Sequence, residues 1–263
     1  MARSHLLAFP RGTSSIRQSG QPAQIATPVF AVFYNVGCEY TATSIGSDRE
    51  STAFVRVGGR DLREMIGGFD PAVADRPEAP FSFSSGPVSD RVFISQAALE
   101  CSATRLDALA AEETTLRLVN DVVVAAYTAR SIRRRVRAGK SDRDYAHWTQ
   151  EILASSFRSQ SGLTELAERV GVSPFYLCRI FKREVGMTIH EFRDRLRLRA
   201  ALVEIADSDL PMSLIAARAG YSSQSHFTDA FRTRFGVPPG RGRKLLKNRA
   251  CASEFEDRKI LED

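Results

Sequence analysis

One pattern occurs twice in this chain, 49 residues apart, and it limits the fold more than anything else in the sequence. LTELAERVGVSPFYLCRIFKR starts at Leu163 and SLIAARAGYSSQSHFTDAFRTRF at Ser213. Each reads as a short helix, a glycine, and a second helix with one greasy face. In the first copy Leu166, Ala167 and Val170 fall at helical steps, and the small Ala167 lets a second helix approach closely. Gly171 suits the left-handed backbone of a sharp turn, Ser173 can cap the next helix, and Pro174 fits its first position. On that helix Leu177 and Phe181 face inward, while Phe175, Cys178, Arg179 and Lys182 fall on the opposite side. In the second copy Ala216 matches Ala167 and Gly220 matches Gly171. The interval from glycine to core phenylalanine is 10 residues to Phe181 and 11 to Phe231, which predicts a second turn one residue longer. Ser223 is the expected cap, with Phe227, Phe231 and Phe235 inward and Gln224, Ser225, Thr228, Asp229 and Arg232 outward. A helix whose apolar face docks at home and whose donor-rich face stays free is the second half of a helix-turn-helix.

Between the copies, Thr188 and Glu191 have capping-box spacing at the start of a helix running to about Ala206, with Ile189, Phe192, Leu196 and Val203 on its buried side. Those 19 residues span about 28 Å. Major-groove faces on one side of B-DNA recur every ~34 Å, so one chain can serve two neighbouring grooves. Charge agrees with that use. Residues 143–250 hold 18 Lys/Arg against 11 Asp/Glu, whereas residues 1–142 hold 17 against 15 and residues 251–263 hold 2 against 5. The positive excess sits where the repeats are, as an anionic polymer would require.

The first 27 residues, rich in Ser, Gly, Gln and Arg, read as poorly ordered. From Pro28 to about Ser95 the segments PVFAVFY, EYTATSI, TAFVRV and RVFIS have strand character, with a proline-rich loop at 70–80. A helix is predicted over 103–137, striped by Leu109, Leu116, Val119, Val123 and Ala126. That stripe serves equally as a dimer seam or as a face packed on the chain's own β layer. Glu112 and Glu113 interrupt it, which speaks against an extended coiled coil. The basic run at 130–144 reads as the solvated helix end and a linker. The organisation is thus α+β: a β-rich N-terminal domain with a long helix at 28–140, an all-α domain of two helix-turn-helix units and a linker helix at 141–250, and an acidic tail at 251–263.

Apolar runs such as VVVAAY at 122–127 are too short for a membrane span, and the N-terminus lacks a secretory pattern, so a cytoplasmic protein with no membrane partner is expected. Cys38, Cys101, Cys178 and Cys251 lie far apart, and His147, His190 and His226 have no ligands at metal spacing. No metal, cofactor or catalytic residue is expected.

The stretch IAARAGYSSQSHFTDAFRTRFGVPP, from Ile215, is similar to the signature of the AraC/XylS family of bacterial transcription regulators. The resemblance covers roughly residues 145–246, with the upstream copy as independent support, and extends only loosely to residues 28–137. It implies a sequence-specific regulator, an activator by family habit and not an enzyme. Double-stranded DNA, RNA polymerase, a small effector or partner protein, and a second copy of the chain are the implied partners. It also assigns the contacts. Phe175, Cys178 and Arg179 face bases, with Arg179 suited to guanine O6 and N7, Phe175 to a thymine methyl, and Cys178 to close approach. An intrahelical ion pair or a phosphate contact is the alternative for Arg179. Gln224 and Ser225 are readers in the second unit, Gln224 balanced between base and backbone, with Thr228 on the same outward face. Lys182 and Arg232 bind phosphates, with Arg234 or Arg241 as further candidates. Two departures stand out. Asp229 replaces the usual basic residue, and Gly242-Arg243 replaces Tyr-Arg, which predicts a frayed last helix. Two other classes compete: a non-specific architectural DNA binder, and a DNA-repair enzyme fused to this type of domain. The second needs a four-cysteine zinc module or a cysteine nucleophile in a recognisable setting, and Cys38 and Cys101 supply neither.

Overall fold

A computed structural model describes residues 2–45, 51–102, 108–134 and 140–247. Its N-terminal half is built on strands β1 (His5–Pro10), β2 (Ser14–Gln18), β3 (Gln24–Ala26), β4 (Phe30–Tyr34), β5 (Tyr40–Ser44), β6 (Thr52–Val57) and β7 (Ser85–Pro87). They form two antiparallel sheets, in the order β6-β1-β4-β7 and β3-β2-β5. Of the segment 1–27 that composition predicts to be a disordered leader, the described residues 2–27 are instead built into the sheets. Leu7 is fully buried and opposite Phe33 of β4, and β1 also pairs with β6 over its whole length. The run HLLAFP has the strand signal; the polar residues around it mask it in a composition window.

Helices α1 (Gly59–Gly67), α2 (Asp90–Ser102) and α3 (Ala108–Arg134) pack on the four-stranded sheet. RVFIS, read as a strand, opens α2 instead. Val92, Phe93 and Ile94 are buried together with Ala97 and Ala98, and the Ser89 hydroxyl accepts from the Val92 amide at 3.2 Å. A five-residue apolar run does not by itself distinguish strand from buried helix. The stripe on α3 resolves toward the chain's own β layer. Val119, Val123 and Ala126 are buried, Leu118 and Val122 join them, and Leu109 is left 75% exposed. The helix sits close on β7 because residue 86 is glycine; a Cβ there would collide with the Ala126 methyl.

The C-terminal half is all helix: α4 (Lys140–Ser156), α5 (Leu163–Val170), α6 (Pro174–Val185), α7 (Ile189–Asp207), α8 (Met212–Arg218), α9 (Gln224–Phe235) and α10 (Pro239–Lys247). The last helix is formed, against the fraying that Gly242 suggests. Gly242 is buried on the Phe231 ring, Leu245 and Leu246 are buried, and Arg243 donates to the Leu210 carbonyl at 2.5 Å. The missing side chain allows α10 to approach. No helix among the described residues is long and apolar enough to cross a membrane. The acidic tail at 251–263 lies outside the described residues.

α7 lies in a seam between the two halves, where α4 and α10 also pack on the N-terminal half. Arg199 has no solvent exposure; it donates to the carbonyls of Pro28 at 2.5 Å and Val88 at 2.7 Å, and to Asp90 at 2.7 Å. The Phe93 ring lies 4.8 Å from its guanidinium carbon. Burial brings the Arg199 pKa down to about 10 even with Asp90 opposing. Phe30 of β4 packs on Phe192 of α7, and Arg11 bridges Glu100 and Asp207.

Candidate nucleic-acid interface

Each repeat folds as its residues dictate. Gly171 and Gly220 adopt φ of 80° and 86°, in the left-handed region that favours glycine. The Ser173 hydroxyl accepts from the Tyr176 amide at 3.3 Å, and the Ser223 hydroxyl from the His226 amide at 3.1 Å, so both recognition helices are N-capped. Thr188 caps α7 in the same way, accepting from the Glu191 amide at 3.1 Å. Glu191 does not complete the predicted box; its carboxylate turns to Arg195 and Arg234.

Inside, Ala167 and Ala216 are buried beneath their partner helices. Leu177, Ile180 and Phe181 seat α6. Phe227, Phe231 and Phe235 seat α9 as an edge-to-face ladder with centroids 5.6 and 4.6 Å apart. The turn of the second unit is tied to the strut: the Tyr221 hydroxyl donates to Asp194 of α7 at 2.8 Å. Burial, and then the Asp194 carboxylate, push that hydroxyl far above its ordinary pKa, so it remains a donor.

Outside, α6 presents Phe175, Cys178, Arg179 and Lys182, all exposed. Phe175 is 80% exposed, a large apolar surface that the described residues leave open. Arg179 lies over the Tyr176 ring, 5.3 Å from its centroid. On α9, Gln224, Ser225 and Arg232 are exposed and Thr228 is half-buried. Asp229 is paired with Arg232 at 3.1 Å, one turn apart on the open surface. That contact screens the carboxylate and is weak enough to exchange for another partner. Arg234 is not on the outward face. It forms ion pairs with Asp90 at 2.9 Å and Glu191 at 3.6 Å, which turns it into the seam. Its spacing alone could not distinguish the two sides, because the partner carboxylate is more than 140 positions away. Arg241 is exposed. His226 meets the Tyr221 ring edge-on at 5.2 Å, and no group of three or more metal-ligating residues occurs among the described residues.

Sequence reasoning passed over the residues that hold this surface in place. Arg197 donates to the carbonyls of Phe157 and Ser159, both at 2.6 Å, and Arg193 to that of Ser161 at 2.6 Å. Gln160 reaches the Gly220 carbonyl at 2.7 Å. The loop between α4 and α5 is thereby fixed to both the linker helix and the second turn. The arginines at 193, 195, 197 and 199, at every second position along the linker helix, were the available signal.

The family match agrees with this geometry. A family model described as "Helix-turn-helix domain" matches residues 166–245. The Msm operon regulatory protein of Streptococcus mutans is 24% identical over 111 residues, 42% of this chain and 40% of that protein. The multiple antibiotic resistance protein MarA of Escherichia coli is 28% identical over 93 residues, 35% of this chain and 73% of that protein. Among solved structures, the C-terminal domain of AraT, a response regulator from Geobacillus stearothermophilus, is 30% identical. That match covers 41% of this chain and 88% of the other, with a TM-score of 0.36. This chain thus spans less than half of the first relative's length. Residues 166–245 are a helix-turn-helix domain of the AraC type.

Proposed function

We propose that this protein is a sequence-specific DNA-binding transcription regulator that places α6 and α9 in adjacent major grooves of one duplex. One observation carries the reading: both helices bury an apolar face and leave a donor-rich face open, and a single 19-residue helix of about 28 Å joins the two units. In this reading Phe175, Cys178 and Arg179 read bases, Gln224 and Ser225 read or brace the second groove beside Thr228, and Lys182 and Arg232 hold phosphates. The chain acts as an activator and recruits RNA polymerase; it binds and does no covalent chemistry. The β-rich half responds to a small effector or a partner protein, singly or as a homodimer, and acts through the Arg199 seam. A cleft of about 280 Å³ beside β6, α1 and α3, edged by Arg56, Asp61 and Glu112, is the place for an effector.

The test is selection of a preferred site from random duplexes by the purified full chain, followed by affinities for that site and for unrelated DNA. A regulator prefers its site by ~10³ or more at physiological salt. Equal affinity for both would make the protein an architectural binder.

A further inference from the structure

The side of α6 that faces α4 carries a chain of contacts ending at Arg179. Asp142, in the first turn of α4, accepts from the Tyr176 hydroxyl at 2.5 Å through Oδ1 and from Arg183 Nη2 at 2.5 Å through Oδ2. Tyr145, one turn along α4, meets the Tyr176 ring edge-on at 6.4 Å. The Arg179 guanidinium lies over that same ring. Arg183 is braced from its other side by Glu184, Nε to Oε1 at 2.9 Å. The hydrogen bond to Asp142, ahead of desolvation, holds the Tyr176 hydroxyl above its ordinary pKa, and it stays protonated as the donor.

An exposed arginine samples many rotamers, and ordering it against a base is a cost that binding must meet. A ring beneath the guanidinium reduces that cost, but only a ring that is itself held. Tyr176 is held by its hydroxyl, and the hydroxyl is held by a carboxylate on a different helix.

We propose that Asp142 is a positioning residue for base recognition by Arg179: it fixes the Tyr176 ring, and the ring aims the guanidinium. This rests on the reading of Arg179 as a base contact. Asp142 also stands where the chain enters its DNA-binding half, so a displacement of the start of α4 against α6 alters how Arg179 is presented.

The experiment uses the full chain and the duplex it selects from a random pool, with every base pair of that site varied in turn. Arg179→Ala is the reference and is expected to relax one base pair. Asp142→Asn and Tyr176→Phe are each expected to lower preference at that same base pair by about two- to tenfold, the scale of ordering one long side chain. Their affinity for random duplex stays at the parental value, the thermal midpoint of Asp142→Asn falls only slightly with its lost Arg183 pair, and combining either with Arg179→Ala adds no further loss at that base pair. If Arg179→Ala relaxes one base pair while both other variants keep parental preference there, Asp142 has no positioning role and the reading of Arg179 stands. If the two variants weaken binding to all sequences equally, Asp142 only supports the fold and the proposal is overturned. If Arg179→Ala itself weakens binding uniformly, the reading of Arg179 falls and the proposal with it.

Discussion

Arg199 carries a positive charge into a place shielded from solvent, and Asp90, also buried, is the carboxylate that pairs with it among the described residues. Burial works to raise the Asp90 carboxyl, but Arg199, Arg234 and Arg195 outweigh it and hold the group below its ordinary value of 3.8. Removing one member of a buried pair strands the other. Asp90→Ala is therefore expected to cost about 3–5 kcal/mol in denaturant unfolding, and a loss under about 1 kcal/mol would mean that water reaches the seam. The sign with pH follows from the depressed pKa. The stabilisation is fully present above 3.8 and is lost as pH falls through the folded-state value, so acid unfolding should be displaced in Asp90→Asn. On the DNA-facing side, Arg179→Ala should relax one base pair by ~1–3 kcal/mol. Lys182→Ala should instead weaken all sequences alike and make log affinity against log salt shallower by about one unit. An unchanged slope would place Lys182 away from phosphate.

The two helix-turn-helix units differ at their glycines. Gly171 faces open space, whereas a Cβ on Gly220 would stand 2.5 Å from the Arg158 carbonyl oxygen. Alanine at either position pays the left-handed backbone cost of ~1–2 kcal/mol. Gly220→Ala must also displace the backbone after α4, so its thermal midpoint should fall clearly further than that of Gly171→Ala; equal effects would refute the packing. The residues that build both units were legible in sequence because caps, glycine turns and phenylalanine spacing are local signals. α10 and α2 were not. Gly242 gives up helix propensity for contact with Phe231, and RVFIS opens a helix whose buried face Ala97 and Ala98 extend. The outward set on α6 and α9 was readable from periodicity, but Arg234 went to the wrong side because its partner Asp90 belongs to another part of the chain.

Across the molecule, one helix does two jobs. α7 sets the distance between the reading helices, and the same helix buries Arg199 and Phe192 against the β-rich half. The second unit is joined to that seam through Arg234, so the N-terminal half and the DNA-facing surface share a carboxylate, Asp90. Under the proposed function, a change in the β-rich half that moves Asp90 would act on α7 and α9 together, a physical path for regulation. The reading that unites these features is that α6 and α9 enter neighbouring major grooves on one side of a duplex. Hydroxyl-radical and methylation footprinting of the full chain on its selected site tests it directly. Two patches of major-groove protection, one helical turn or about 10 base pairs apart on the same face, are the expected result. A single protected patch, or two patches on opposite faces of the duplex, would contradict it.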